Sequence, residues 1–415
     1  MQDSWKSKNV FFLGIKGVMM SNLAIMCLQT GKSVSGSDTD DPQITDKVLS
    51  KWHISPISLD DPIPKDTDLV VYGAAHKGKE SKQVKDAISK NIKIITQGQF
   101  IADLLKYFKN SIAICGSHGK TSTSSMMAYT MQSLGLKVSW LVGAPYFRGY
   151  DSKGNVEEFL GGNYVEGSEF LVFEADEYGV CPPTDDTPKI LLYHPTHIIN
   201  TNIDFDHPDI YRDLNHVKNV FKEFYTHSKN VYECNSKSIE ENKNGIYKCL
   251  HDFGFDINWT KETLKGFVGV ARRLEFYGEI NQVCIFDDYG HHPAEIIATL
   301  KKLKSIYPKR RIVMAFQSHT YSRTIALKDQ FIEAFSHADV TLIDAIFPSA
   351  RENISGAVIS SVDLAKTAKA MGYNNIFGFQ SRSDLEYFLY SIVKKGRCNF
   401  DNWCRRYLQA NTRHY

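Results

Sequence analysis

The chain has 415 residues, 42% of them hydrophobic, which at roughly 100–200 residues per domain predicts two to four domains. Its 49 basic and 47 acidic residues leave a net charge of +2, which excludes a general nucleic-acid binder but permits a local phosphate site. Mean hydropathy is −0.30, and no apolar run approaches the roughly 18 residues of a membrane-spanning helix.

The elements are read in chain order. Asn9–Leu13 is a strand, Met20–Gln29 a helix ending at Gly31, and a second strand runs from Val34 to Asp38. Asp68–Tyr72 and Ile92–Ile95 are strands with a helical stretch, Lys82–Lys90, between them. The pattern restarts at Ser111–Cys115, after the polar patch Lys106–Asn110, and helix Ser122–Gly135 follows. Phe170–Phe173 and His197–Ile199 are apolar strands, and the Asn/Lys-rich stretch Asn235–Lys248 reads as a surface loop. A last restart gives strand Gln282–Asp287, helix Pro293–Leu303, strand Arg311–Phe316, helix Ile325–Ser336 and strand Val340–Ile346. Alternation of this kind implies an α/β fold with parallel sheets.

The eight cysteines (Cys27, Cys115, Cys181, Cys234, Cys249, Cys284, Cys398 and Cys404) form no C-x-x-C pair, so they read as reduced thiols of a cytoplasmic protein. The short apolar start, Val10–Leu13, is broken by Gly14, Lys16 and Gly17 too early for a signal segment.

Five segments carry chemistry. Gly116-Ser117-His118-Gly119-Lys120-Thr121, with Ser122 after it, joins a strand to a helix. Glycines let backbone N–H groups approach a phosphate, and the helix N-terminus adds positive potential. Lys120 would reach the outer phosphates, and the Thr121 hydroxyl would ligate Mg²⁺. The usual loop is G-x-x-x-x-G-K-S/T, and its first glycine is Ile114 here, so the loop is shortened. The plain alternative is a glycine turn opening an ordinary helix. Glu174-Ala175-Asp176-Glu177 ends a strand, where ligands of open α/β sheets bind, and Glu174 could hold the metal; a solvated acidic turn is the alternative. Asn202-Ile203-Asp204-Phe205-Asp206-His207-Pro208-Asp209 offers metal ligands and acid/base groups, or merely a capped strand end.

Asp287-Asp288-Tyr289-Gly290-His291-His292-Pro293 reads better as a turn facing a nucleotide than as a metal site. In Phe316-Gln317-Ser318-His319-Thr320-Tyr321-Ser322-Arg323, His319 and the Arg323 fork could clamp a carboxylate. Near the N-terminus, Gly14 and Gly17 permit a tight diphosphate turn, although Lys16 and Met19 depart from G-x-G-x-x-G, and Asp38 could hold a ribose hydroxyl.

In this order the segments resemble the Mur ligase family of peptidoglycan synthesis. G-x-H-G-K-T, E-A-D-E, T-N-I-x-x-D-H-x-D-x-Y, R-R-L-E, D-D-Y-G-H-H-P and F-Q-x-H-x-Y-S-R-T carry the resemblance, from about Asn9 to Gly396. It implies three domains: a Rossmann-like UDP-sugar-binding domain (1–108), a shortened P-loop ATPase-type domain (109–274) and a Rossmann-like amino-acid- and nucleotide-binding domain (275–415). The implied activity is ATP- and Mg²⁺-dependent amide formation between the carboxylate of UDP-N-acetylmuramate and L-alanine, through an acyl phosphate. The implied protein is cytoplasmic, a monomer or weak homodimer, with no nucleic-acid partner and no membrane insertion.

By the same resemblance Lys120, His207, Arg273, His319 and Arg323 are catalytic. Gly116 to Ser122 with Asp288, Tyr289 and His292 hold ATP. Thr121, Glu174 and His207 hold the metal, and Gly14, Gly17, Ser37, Asp38, Asn202 and Tyr321 face substrates. The segment Phe316–Thr324 leans to the alanine-adding branch. The N-terminal loop and Glu174–Tyr178 with Tyr193-His194-Pro195 lean to the branch that recycles a murein tripeptide. A Mur-like nucleotide binder without catalysis is the second reading, and an unrelated P-loop NTPase acting as a switch, against which the N-terminal domain and the motifs after Asp287 argue, is the third.

Two departures go with the resemblance. Only 65 positions separate His207 from Arg272, roughly half the family's length there, and the adenine motif G-x-H-N-x-x-N is missing. The tail, Arg397–Tyr415, lacks the family's G-A-G-D turn. One codon choice for Gly396–Tyr415 read one nucleotide later gives EDVILTIGAGDIYKLTPDI, so a frameshift near Gly396 is expected.

Overall fold

The computed structural model describes residues 3–394 except 208, 235–238, 281, 319 and 348–358. The tail reading, with Cys398, Trp403 and Cys404, therefore lies outside the described residues, as does His319. The chain packs into two compact units that divide between Ala271 and Arg272.

The first unit opens with β1 (Asn9–Leu13), α1 (Val18–Gln29), β2 (Ser33–Ser37), α2 (Asp46–Lys51), β3 (Leu69–Tyr72), α3 (Lys82–Ser89), β4 (Lys93–Thr96) and α4 (Gln97–Leu105). These strands form an all-parallel sheet in the order β2-β1-β3-β4. The central strands β1 and β3 are apolar almost throughout and buried, as a sheet covered on both faces requires. Side chains cap α3 and α4, through Ser81 and Thr96.

The unit continues with β5 (Asn110–Cys115), α5 (Lys120–Ser133), β6 (Val138–Tyr150), β7 (Val156–Asn163), β8 (Phe170–Glu174), β9 (Gly179–Cys181), β10 (Asp185–Pro188) and β11 (His197–Asn200). It ends with α6 (Leu214–Tyr225), β12 (Asn230–Glu233), α7 (Ile239–Asp252), α8 (Ile257–Leu264) and β13 (Phe267–Val270). The second sheet runs β12-β11-β5-β8-β6-β13, with β7 paired to β6. β5 lies between β8 and β11, parallel to both. The long β6–β7 hairpin packs on α1, where buried Asn22 donates its amide to the carbonyls of Val142 and Ala144. Neither that hairpin nor β13 shows in a pattern of short apolar runs, because their strands mix glycine and aromatic residues.

One expectation is overturned. Asn235–Lys248 is not a surface loop: from Ile239 it is α7, which buries Asn242, Gly245, Ile246, Cys249 and Leu250. The apolar residues recur at helical spacing within a polar composition, and that spacing decides the structure.

The second unit comprises β14 (Glu275–Ile280), β15 (Val283–Asp287), α9 (Pro293–Ile306), β16 (Val313–Phe316), α10 (Tyr321–Ala326), α11 (Lys328–Phe335), β17 (Val340–Ile343), α12 (Ser361–Ala370), β18 (Ile376–Gly378) and α13 (Arg382–Lys394). β16 and β17 are parallel as expected, and β18, which was not expected, extends the layer. β15 differs from expectation in its partner: it pairs antiparallel with β14 as a hairpin. The helix read at Ile325–Ser336 breaks at Leu327 into α10 and α11. Phe316, Phe331, Phe335, Ile296 and Leu364 form this unit's core.

The six described cysteines are free thiols, and Cys27, Cys115, Cys181, Cys234 and Cys249 are buried. Burial pushes the Cys27 thiol up to about 12 and raises Cys115 and Cys249 as well. Iodoacetamide at pH 8 will therefore leave Cys27, Cys115 and Cys249 unmodified in the native protein, and half-buried Cys284 will label first among the described thiols. Peptide mass mapping checks this; Cys27 labelling as fast as Cys284 in native protein contradicts it.

Candidate functional site

The turn between β5 and α5 is the predicted phosphate loop. Gly116 has φ +126°, and a Cβ there would lie 2.1 Å from Thr201 Oγ1. Gly119 has φ +81°, and its Cβ would lie 2.8 Å from Asn242 Nδ2. Both positions thus need glycine, by conformation and by space. α5 begins on Gly119, which as N-cap brings no side chain to the first N–H groups of the helix.

The loop is strapped from the β11 side. The His118 N–H donates to Asn202 Oδ1 (3.0 Å), and Asn202 Nδ2 donates to the His118 carbonyl (2.8 Å). Thr201 Oγ1 donates to the same carbonyl at 2.6 Å. Ser117 Oγ donates to the Asp204 carbonyl and accepts from the Asp204 N–H. Asn202, expected to face a substrate, spends its amide holding the loop.

Charge comes from the β8 side. Lys120 Nζ donates to the Gly116 carbonyl (2.7 Å) and pairs with Glu177 at 2.8 Å. Burial alone would depress this ammonium, but Glu177, Asp176 and Glu174 around it hold it above the ordinary lysine range. Thr121 Oγ1 donates to Glu174 Oε1 (3.3 Å), and Glu174 Oε2 accepts from the Gly143 N–H (3.0 Å). His207, with φ +58°, places Nε2 at 3.8 Å from Glu177 and 3.7 Å from Asp206. Of the expected metal set, Thr121 and Glu174 meet directly, while the carboxylates beside His207 are Glu177 and Asp206. Among the described residues no three His, Cys, Asp or Glu side chains are grouped to hold a metal by themselves.

Sequence reasoning missed three residues here. Glu177, 2% exposed, joins Lys120 to His207. Lys189 pairs with Asp176. Asn242 on α7 is buried against Gly119, and its Oδ1 has no hydrogen-bond partner among the described residues. The signal for Asn242 was the apolar spacing that follows it; Lys189 gave none.

At the first sheet, Asp38 Oδ2 accepts from the Lys16 N–H (2.8 Å), and Oδ1 meets the Thr39 N–H and His76 Nε2 (3.0 Å). Burial would raise this carboxyl, but these bonds hold it below its usual range. Asp38 thus closes the Gly14–Gly17 turn onto β2 and the residues after β3. Ser37 is fully buried and donates to Gln83 Oε1, so its hydroxyl supports the strand end. The turn itself leads into α1, whose N-cap, Gly17, likewise provides no side-chain cap.

In the second unit Arg272 and Arg273 lie over the Tyr289 ring, at 4.8 and 5.4 Å. Arg273 pairs with Glu295 at 3.5 Å. Asp288 accepts from the N–H groups of Leu274 and Gly290, both at 2.8 Å, and burial pushes its carboxyl up. His292 is buried and caps α9 by accepting from the Ala294 N–H. A shallow, partly open pocket is lined by Asp288 to His291 and Ala315 to Gln317, so the fourth and fifth motifs meet around one space. Arg323 is buried on α10, while Tyr321 is partly exposed. Arg382, also missed, pairs with Asp344 and donates to Gln317 Oε1 at 3.2 Å.

Lys120 and Glu177 depend on each other. Replacing Lys120 with Met strands a buried carboxylate, so urea denaturation should show a loss of about 3 kcal/mol. Unchanged stability in Lys120→Met would show that Glu177 is held without it.

Comparison with known proteins follows the same lines. Three models of the family match: Mur ligase family, catalytic domain (residues 9–109), Mur ligase middle domain (114–264) and Mur ligase, glutamate ligase domain (272–396). A UDP-N-acetylmuramate–L-alanine ligase of Clostridium botulinum (strain Kyoto / Type A2) is 32% identical over 452 aligned positions, covering 94% of each chain. That alignment is longer than this chain, so the relative carries residues that this chain lacks. A ligase of the same name from Lactococcus lactis is 30% identical, covering 89% of this chain and 91% of the other. Among solved structures the fold is similar to a UDP-N-acetylmuramate-alanine ligase of Thermotoga maritima (TM-score 0.67, 21% identity, 89% and 90% covered). It is also similar to a murein peptide ligase of Psychrobacter arcticus (TM-score 0.65, 20% identity, 94% and 92% covered). With matching models along nearly all of its described length and relatives near one-third identity, the chain belongs to the Mur ligase family.

Proposed function

We propose that the chain is an ATP-dependent ligase that joins L-alanine to the carboxylate of UDP-N-acetylmuramate. The observation that carries this reading is the strapped phosphate loop, with Lys120 held among three carboxylates, in a chain whose relatives at about 31% identity are alanine ligases. A carboxylate oxygen attacks the γ-phosphorus, the bond to the β-phosphate oxygen breaks, and ADP leaves. The amine of L-alanine then attacks the acyl carbon, phosphate leaves with the C–O electron pair, and the amine proton passes to solvent.

The residues fit the groups required. The glycine turn opens directly into α5, whose N-cap Gly119 brings no side chain, so backbone N–H groups are offered to a phosphate. Lys120 offsets the charge of the outer phosphates once they displace its contact with Glu177. Thr121 and Glu174 are hard oxygen donors, which suits Mg²⁺, and His207, 3.8 Å from Glu177, is proposed as a further ligand. The ion would supply charge neutralisation for the transferred phosphoryl group. A buried unpaired acceptor costs about 1–3 kcal/mol, and a donor on the bound nucleotide would relieve that cost at Asn242 Oδ1. Asp288, Tyr289, His292 and Arg273 are proposed for ATP, and His319 with Arg323 for the amino-acid carboxylate. Among the described residues no helix is long and apolar enough to cross a membrane; a cytoplasmic location belongs to the proposal.

The decisive assay is phosphate release from ATP with Mg²⁺ and UDP-N-acetylmuramate, comparing L-alanine with L-Ala-γ-D-Glu-meso-diaminopimelate. Release stimulated by L-alanine, with UDP-N-acetylmuramoyl-L-alanine detected by mass, is expected. Stimulation by the tripeptide alone would reassign the chain to the recycling branch, and ATP binding without release would make it a binder. Asn242→Ala should raise the KM for ATP at least fivefold and leave the KM for L-alanine within twofold; an unchanged KM for ATP would remove Asn242 from the nucleotide site.

A further inference from the structure

Lys189 is the most buried lysine among the described residues, at 9% exposure. Lysine is almost never buried to that degree without a partner, and its partner is Asp176. An ammonium has three donors. Asp176 takes one, and the other two have no partner among the described residues. The pair is open on one side: the Asp176 side chain is 37% exposed, that of Lys189 11%.

The position of this ammonium is fixed from three directions. Its backbone N–H donates to the Tyr178 carbonyl at 3.0 Å. Its stem lies on the first turn of α4, where a Cβ on Gly98 would come within 3.1 Å of Lys189 Cγ. Its head meets Asp176, one residue from the Glu177 that holds Lys120. Burial would raise the Asp176 carboxyl, but Lys189, Lys120 and His207 together hold it well below its usual range, so one carboxylate stands between two lysines.

Phosphoryl transfer to a carboxylate brings one anion against another. Two like charges a few ångströms apart repel, and more strongly near a protein surface than in open water. Lys120 belongs to the phosphate loop and serves the donor; the acceptor needs its own cation. We propose that Lys189 is that cation: it hydrogen-bonds the non-attacking oxygen of the sugar's carboxylate and orients the other toward the γ-phosphorus, with Asp176 keeping the ammonium in place. No proton moves in this step; the only bonds that change are the new carboxylate O–P bond and the P–O bond to the leaving ADP. The inference rests on the proposed ligase activity and adds a residue on the acceptor side that no motif carried.

The test is calorimetric titration of the wild type, Lys189→Met, Lys189→Arg and Asp176→Asn with UDP-N-acetylmuramate and with UDP-N-acetylglucosamine, which lacks the carboxylate. Lys189→Met should weaken the muramate at least tenfold and the glucosamine less than twofold. Lys189→Arg should recover most of the muramate loss, and Asp176→Asn should cost less than threefold. In turnover, Lys189→Met should raise the KM for the muramate and leave the KM for ATP within twofold. Equal weakening of both sugars, or an Asp176→Asn effect as large as that of Lys189→Met, would make Lys189 a structural counter-ion and overturn the proposal. If the wild type binds neither sugar, the ligase reading fails first. If it binds the muramate and turns over while Lys189→Met matches it, only the role of Lys189 fails.

Discussion

Lys120 places a positive charge in the interior of the first unit, and an interior charge persists only where opposite charge is built around it. That requirement sets much of the surrounding architecture. The carboxylates must arrive beside the loop, and they do because β8 runs parallel to β5 with Ile114 opposite Glu174, so the E-A-D-E segment emerges next to Gly116. The loop must also be held open, and β11 does this from the other side, with Asn200 opposite Cys115 and Thr201 to Asp204 as straps. One flanking strand brings charge and the other brings stiffness. A register slip in either would turn its side chains to the wrong face.

The parts of this arrangement legible in the sequence are those governed by short-range rules. The phosphate loop was readable because glycine, lysine and a hydroxyl at fixed offsets between a strand and a helix express one mechanism. The strands of the first sheet were readable as apolar runs. What escaped is long-range. Glu177 was visible as an acid, but its pairing with Lys120 follows from strand register, which one sequence does not display. Asn202 and Ser37 were in the right neighbourhood, and their hydrogen bonds turned them into struts of the scaffold. The second unit was read correctly as a parallel layer, yet β15 found an antiparallel partner in β14, a strand too mixed in polarity to stand out.

Between His207 and Arg272, the polar composition of α7 hides a helix on which the first unit depends. Two helices, α7 and α8, carry the chain from β12 to β13, and they complete the packing over Ile112, Ile114 and Ile199. Ile246, Cys249 and Leu250 enter that core, while Asn242, one turn earlier, stands at the phosphate loop. A segment that is polar in composition therefore both closes the sheet and adds a residue beside the candidate nucleotide site.

The strand order β12-β11-β5-β8-β6-β13 also has a temporal consequence. The straps on the phosphate loop pair with residues more than eighty positions upstream of them, and closing so long a segment is slow compared with forming a local hairpin. During synthesis on the ribosome the G-S-H-G-K-T turn leaves the exit tunnel well before Thr201, Asn202 and Asp204, and α7 follows later still. The nascent chain thus passes through a stage in which the glycine turn exists but nothing holds its shape. Nucleotide competence is acquired late, as an outcome of completed sheet assembly, and until then α7 has not yet covered Ile112, Ile114 and Ile199.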